Sequence, residues 1–144
     1  MDDAWHAFFP RFYRFLRVLD PLITAWWRRF GVGNTVAFVT TGRRTGQRRT
    51  TFLGLLRVGD HEYLGHPDLP CAWTLNLDAT GRGEIERSGR PPERVVATLL
   101  PPGPEREAVI RATFRQHPFP GNVIYWLARR HVRAVGRFYR IEPA

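Results

Sequence analysis

Thr40-Thr41-Gly42-Arg43-Arg44-Thr45-Gly46-Gln47-Arg48-Arg49 is the stretch on which the reading of this chain turns. Before it, residues 35–41 are rich in Val, Phe and Thr and read as a strand. After it, residues 49–58 read as a second strand. The decapeptide is therefore a connection, turning on Gly42 and Gly46, and it carries Arg43, Arg44, Arg48 and Arg49. Backbone amides exposed in a glycine turn, together with guanidinium forks, make an anion site. A solvated basic hairpin is the other reading that composition leaves open.

Working outward, Gly59-Asp60 is a hairpin turn and residues 61–65 a third strand, broken by Pro67 and Pro70. Residues 72–78 read as a short helix. Residues 83–87 and 94–100 form a hairpin around 89–92, and the proline-rich 101–104 is a linker. Residues 105–116 are a helix with Ala108, Val109, Ala112 and Phe114 facing inward. Residues 123–130 are a further helical stretch, and residues 135–141 close the chain as a strand.

On the N-terminal side, Trp5, Phe8, Phe9, Phe12, Phe15, Leu16 and Leu19 repeat at helical spacing over residues 5–19. Pro10 is expected to delay regular helix there. Asp20-Pro21 then caps a second helix striped by Leu22, Ile23, Trp26, Trp27 and Phe30, and stopped by Gly31 and Gly33. The sum is an α+β chain: a mainly antiparallel barrel, two helices before it, and C-terminal helices before a last strand. It reads as one domain, with an amphipathic helical segment at 1–33 and the barrel at 34–144.

The 144 residues carry 22 basic against 13 acidic side chains, a net charge of +9, and every basic residue is arginine. That excess calls for an anionic partner: a phosphorylated cofactor, an anionic membrane or nucleic acid. Nucleic acid is set aside, because the aromatics follow helical stripes rather than an exposed strand face. Cys71 is the single cysteine, so no internal disulfide forms, in keeping with a reducing cytosol. No apolar run approaches the roughly 20 residues of a membrane span, and the acidic start is not a secretory signal.

Several chemistries are excluded. Gly46 is followed by Gln47 rather than Lys-Ser/Thr, so the turn is no ATPase phosphate loop. His6, His61, His66, His117 and His131 lack metal-ligand spacing, and no metal site is expected. The only serine, Ser88, sits in a hairpin rather than on a nucleophile elbow.

Residues 40–51, Thr-Thr-Gly-Arg-Arg-Thr-Gly-Gln-Arg-Arg-Thr-Thr, resemble the signature of the deazaflavin-dependent nitroreductases, reductases that use coenzyme F420. Pro70-Cys71-Ala72-Trp73-Thr74-Leu75-Asn76-Leu77 is similar to a second family segment, with one extra residue before the tryptophan. The resemblance implies a split β-barrel and a reaction in which the reduced coenzyme gives a hydride to a quinone-like, nitroaromatic or enone acceptor. It implies that Arg44 and Arg49 hold the coenzyme's phosphate and oligoglutamate tail, with Arg43, Thr45, Gly46 and Gln47 shaping the loop. Phe52, Gly54, Gly65 and His66 would line the ring groove, and Trp73 and Asn76 would support its wall. Tyr125 and Tyr139 are candidates for a proton donor, the other reading of each being a core aromatic.

Two departures stand out. The family has small polar residues and then Gly-Gly after the third strand, where this chain has His66-Pro67-Asp68. Asp68 is thus expected close to the coenzyme phosphate, opposing it. The family also has proline where Phe52 stands. These changes keep open a barrel that holds an apolar ligand without redox chemistry (a fatty acid or biosynthetic intermediate), or FMN or haem instead. Family members that reduce quinones are found at membranes, which implies a cytoplasmic protein at the inner face of the membrane, touching it through residues 5–30. Homodimers are common among such barrels, and a small molecule is the expected substrate.

Overall fold

Alternation along the strands sets the architecture. In the computed structural model, which describes residues 3–18, 22 and 34–144, Leu53 and Leu55 of one strand point to one side and Leu56 to the other. The elements run α1 (Asp3–Val18), β1 (Thr35–Thr41), β2 (Arg48–Val58), β3 (His61–His66), α2 (Ala72–Thr80), β4 (Arg82–Glu86), β5 (Glu93–Leu99), α3 (Pro104–Gln116), α4 (Gly121–Leu127), α5 (Arg129–Val135) and β6 (Arg137–Pro143). The strands close into a barrel in the order β1-β2-β3-β6-β5-β4, each neighbouring pair antiparallel. This is the α+β barrel expected, with its last strand at the C-terminus.

Two apolar cores lie on either side of the barrel wall. Inside are Val36, Phe38, Leu55, Leu64, Ile85, Val95, Tyr139 and Ile141, with Trp73 and Leu77 of α2. Outside, Leu56, Tyr63 and Phe138 meet Val109 and Ile110 of α3, Val132 of α5 and Phe9 of α1. Each such side chain contributes about 1.5–3 kcal/mol on burial. The wall formed by β2, β3 and β6 is therefore covered by helices, and the candidate groove lies between strand backbone and helix.

Short connections fix the register. Val58 pairs with His61, so Gly59-Asp60 is a two-residue hairpin, and Gly59 adopts φ 59° as that turn demands. Thr41 pairs with Arg48, which leaves Gly42 to Gln47 as the β1–β2 loop.

Several expectations are corrected. Pro10 lies inside α1, which begins at Asp3 rather than waiting for the proline. Packing supplies the reason: Phe9 is fully buried in the outer core with Trp5 and Tyr13 against it, which outweighs one lost backbone bond. The helical stretch expected at 123–130 is two helices that meet at Ala128, and the last strand starts at Arg137 rather than 135. Ile110 is fully buried although it was not among the expected contacts of its helix, whereas Ala108 and Phe114 are only half-buried. The second N-terminal helix, with its stripe from Leu22 to Phe30, falls outside the described residues except for Leu22, as do Asp20-Pro21, Gly31 and Gly33.

Candidate functional site

The β1–β2 loop is held from within and from below. The Gly42 amide donates to the Gln47 carbonyl at 2.7 Å, and the Gly46 amide to the Gly42 carbonyl at 2.8 Å. Gly46 takes φ 71°, open to glycine at no steric cost. Thr45 Oγ1 accepts from the Gln47 amide at 3.3 Å. Buried Asn76 of α2 accepts from both the Arg43 amide and its guanidinium, each at 3.1 Å. Arg48 is committed to Glu84 of β4 at 2.6 Å. The pair holds the Glu84 carboxyl below its usual range, first through that hydrogen bond.

Arg44 and Arg49 differ from these two. Both are exposed, and neither has an ion pair or side-chain hydrogen bond among the described residues. The loop thus spends two arginines on its own shape and leaves two cations facing solvent.

Two glycines on the outer face of the wall are covered by side chains. Gly54 lies on the strand face shared with Phe52 and Leu56, and Gly65 lies on β3 opposite Phe138. A Cβ on Gly65 would meet the Phe138 ring at 2.8 Å, and one on Gly54 would meet His117 Nε2 at 2.5 Å. Gly65, Pro67, Thr113, His117, Tyr125 and Phe138 enclose a cavity of about 10 Å³, room for about one water. His117 sits edge-on to Tyr125, ring centroids 4.8 Å apart. Its Nδ1–H donates to the Thr113 carbonyl at 2.9 Å, because a carbonyl can only accept. Burial lowers the pKa of this imidazole. A neutral ring with its proton on Nδ1 leaves Nε2 a bare acceptor. Burial is the main cause that pushes the phenols of Tyr125 and of Tyr13 of α1 up.

Tyr139 has a different setting. It is fully buried in the barrel interior and donates to Asp78 at 2.8 Å. Burial is the main cause raising its phenol. Of the two tyrosines, Tyr125 lines the groove cavity and Tyr139 does not. Trp73 is likewise an interior residue, edge-on to Phe38.

His66 and Asp68 are both buried and engaged with other partners. His66 is buried, donates from Nε2 to the Leu69 carbonyl at 3.0 Å, and is lowered to about 4 chiefly by burial. Its Nδ1 faces the Cys71 thiol at 3.8 Å. Asp68 is buried and accepts from His131 at 2.7 Å and from His6 of α1 at 3.1 Å. Burial alone would raise this carboxyl, but bonds from His131, the Leu69 backbone and His6 outweigh it and lower it. The charge of Asp68, expected from the sequence to oppose a phosphate, is taken up by two imidazoles.

Sequence reasoning missed His117 and Tyr13 as neighbours of Tyr125. The one available signal was Gly54 within a strand, which marks a close approach without naming what approaches.

Exposed Arg44 and Arg49 suit the anionic end of a ligand, while the cavity beside Gly65, about 10 Å³, holds no ring with its lining side chains as they stand. The space over Gly54 is taken by the His117 ring and that over Gly65 by the Phe138 ring. The profile of the F420H(2)-dependent quinone reductase family matches residues 25–123. No curated protein sequence matches the chain. Among solved structures, an F420-H2 dependent reductase, FDR-A, is 17% identical over 76% of this chain and 94% of its own, with a TM-score of 0.58. A domain-swapped dimer is 20% identical over 90% of this chain and 98% of its own, TM-score 0.58. HutZ, the heme storage protein of Vibrio cholerae, is 14% identical over 88% and 90%, TM-score 0.55. These structural likenesses show a shared fold.

Proposed function

Since the chain belongs to the F420H(2)-dependent quinone reductase family, we propose that it transfers a hydride from reduced F420 to a quinone-like, nitroaromatic or enone acceptor. One observation carries this reading. The loop engages Arg43 and Arg48 internally and leaves Arg44 and Arg49 free, as a phosphate and polyglutamate ligand requires. When bound, the coenzyme supplies the hydride and its two electrons.

The chain's own part is to bind, orient and exclude water. Arg44 and Arg49 hold the anionic end, while Gly46 and Gln47 keep the loop in shape. A flat ring would reach the strand backbone at Gly54 and Gly65 once the His117 and Phe138 side chains that cover them move, with Phe52 on the same face. Tyr125, whose phenol burial keeps protonated, has a proton to deliver to an acceptor oxygen. Opening the cavity requires the His117 and Tyr125 side chains to swing aside, because about 10 Å³ admits no ring.

Surface features support a lipid-borne acceptor. Phe8 and Phe15 are exposed on α1 beside exposed Arg11 and Arg14, a pattern suited to peripheral contact with anionic lipid. Among the described residues no helix is long and apolar enough to cross a membrane. The domain-swapped relative favours pairing of two copies, which sizing of the purified protein checks.

The test is anaerobic: reduced F420 is mixed with the protein and, in turn, a quinone, a nitroaromatic and an enone, and its oxidation is followed optically. Protein-dependent oxidation with at least one acceptor is expected. No oxidation with any of the three would overturn the reading. A second reading, haem in the same barrel, is favoured by the likeness to HutZ; a Soret band in protein purified after haem supplementation would replace the first.

A further inference from the structure

Helix α4 has two sides of opposite character. Ile124 and Tyr125 pack on the outer core, where Tyr125 stacks on Phe9 of α1 and lines the cavity beside Gly65. Val123, Trp126 and Leu127 share the other side, at the three-and-four spacing of one helical face. They are 43%, 50% and 54% exposed, and Phe119, two residues before the helix, is 80% exposed. A lone exposed apolar side chain is ordinary, but this concentration within one short segment is of the kind that marks an interaction site.

The charge that follows the segment has one sign. From Ala108 to Ile141 the chain holds seven arginines and no acidic residue. Arg133, Arg137 and Arg140 reach acids outside that stretch, at Glu107, Asp78 and Glu105. Arg129 and Arg130, just past Leu127, have no acidic partner among the described residues. The Arg129 guanidinium lies over the Trp126 ring, 4.2 Å from its centroid, and donates to the Trp126 carbonyl at 3.1 Å. A cation thus sits directly on the apolar face.

We infer that the outer face of α4 docks on an anionic lipid surface, with Phe119, Trp126 and Leu127 entering the acyl boundary and Arg129 and Arg130 at the headgroups. Charge complementarity selects this occupant. A bilayer offers an apolar interior and an anionic layer side by side, which is the order this segment presents. A second copy would bring the same unpaired cations against their like. The contact is additional to the exposed aromatics of α1. Its bearing on the chemistry rests on the reading under Proposed function. One seven-residue helix sets Tyr125 on the cavity and Trp126 on the lipid, so an acceptor dissolved in the bilayer meets the protein at the helix that lines its site.

Co-sedimentation with vesicles tests this, using phosphatidylcholine alone and an equal mixture of phosphatidylcholine and phosphatidylglycerol. Wild type should bind the anionic vesicles at least about tenfold tighter than the neutral ones. Phe119→Ser/Trp126→Ser should weaken binding to anionic vesicles by about tenfold or more, and Arg130→Glu should do the same. Equal binding of wild type to both vesicles, or to neither, overturns the inference. So does a lipid-free wild-type dimer that the double variant turns into a monomer, because a second copy would then cover the face. If the double variant melts and sediments as wild type does while wild type oxidises reduced F420, the docking face is wrong and the coenzyme reading stands. If wild type oxidises no reduced F420, the coenzyme reading falls and sedimentation alone decides the docking. Should the double variant fail to fold, Arg130→Glu decides, since that side chain is exposed; unchanged sedimentation of it overturns the inference.

Discussion

Asp68 and His131, 63 residues apart, meet at 2.7 Å inside the protein, with the imidazole Nε2–H donating to the carboxylate. The same carboxylate accepts from His6 at 3.1 Å, so one buried charge ties α1 and α5 to the segment after β3. His131 stacks on Phe9, which carries the tie into the outer core.

Asp68→Ala should destabilise the protein by about 3 kcal/mol, since it leaves a buried imidazole N–H without its charged partner. Urea unfolding at neutral pH measures it. His6→Ala should cost under about 1 kcal/mol, because that imidazole is half-exposed. Equal losses for the two variants would contradict the arrangement.

His66 sets a pH dependence. Its folded pKa is lowered from 6.5 to about 4 by burial, so in that window the unfolded chain binds a proton that the native state refuses. Stability is therefore fully present above pH 6.5 and falls as the pH drops toward 4, by up to about 3 kcal/mol. His117 is shifted the same way by burial and adds to the slope. His66→Gln should flatten the profile between pH 6.5 and 4; an unchanged slope would refute the assignment.

Gly83 is a packing glycine. A Cβ there would lie 2.6 Å from the buried Phe38 ring and 3.0 Å from the Val39 carbonyl. Gly83→Ala should cost about 1–3 kcal/mol by overpacking the barrel interior. Gly54→Ala should cost less, because the atoms it meets first are the far end of the His117 side chain. Thermal melts of the two variants rank them directly.

Asn76 is the loop's anchor. Asn76→Ala removes its bonds to the Arg43 amide and guanidinium. It should lower stability by about 1–2 kcal/mol, and trypsin should cleave at residues 43–49 faster than in wild type. Cleavage at the wild-type rate would show the loop to be held by other means.

The barrel was legible because its signals are local. Thr35 to Thr41 and the Gly59-Asp60 turn each declare their element within a few residues. The arginine loop was legible for the same reason. What stayed hidden depends on contacts between distant residues. Which arginines are free is decided by Asn76, 33 residues past Arg43, and by Glu84, 36 past Arg48. Asp68 read as a charge opposed to phosphate until His131 and His6 were found around it. Pro10 read as a barrier because the burial of Phe9, which outweighs it, is a tertiary fact.

The central claim is that Arg44 and Arg49 bind the anionic end of F420. Fluorescence titration of oxidised F420 into wild type and into the Arg44→Ala/Arg49→Ala double variant, at low and high salt, tests it most directly. The account predicts saturable binding by wild type that weakens with salt. It predicts a loss of at least about a hundredfold in the double variant, with little remaining salt dependence. Wild-type affinity in the double variant, or no binding by wild type, would contradict it.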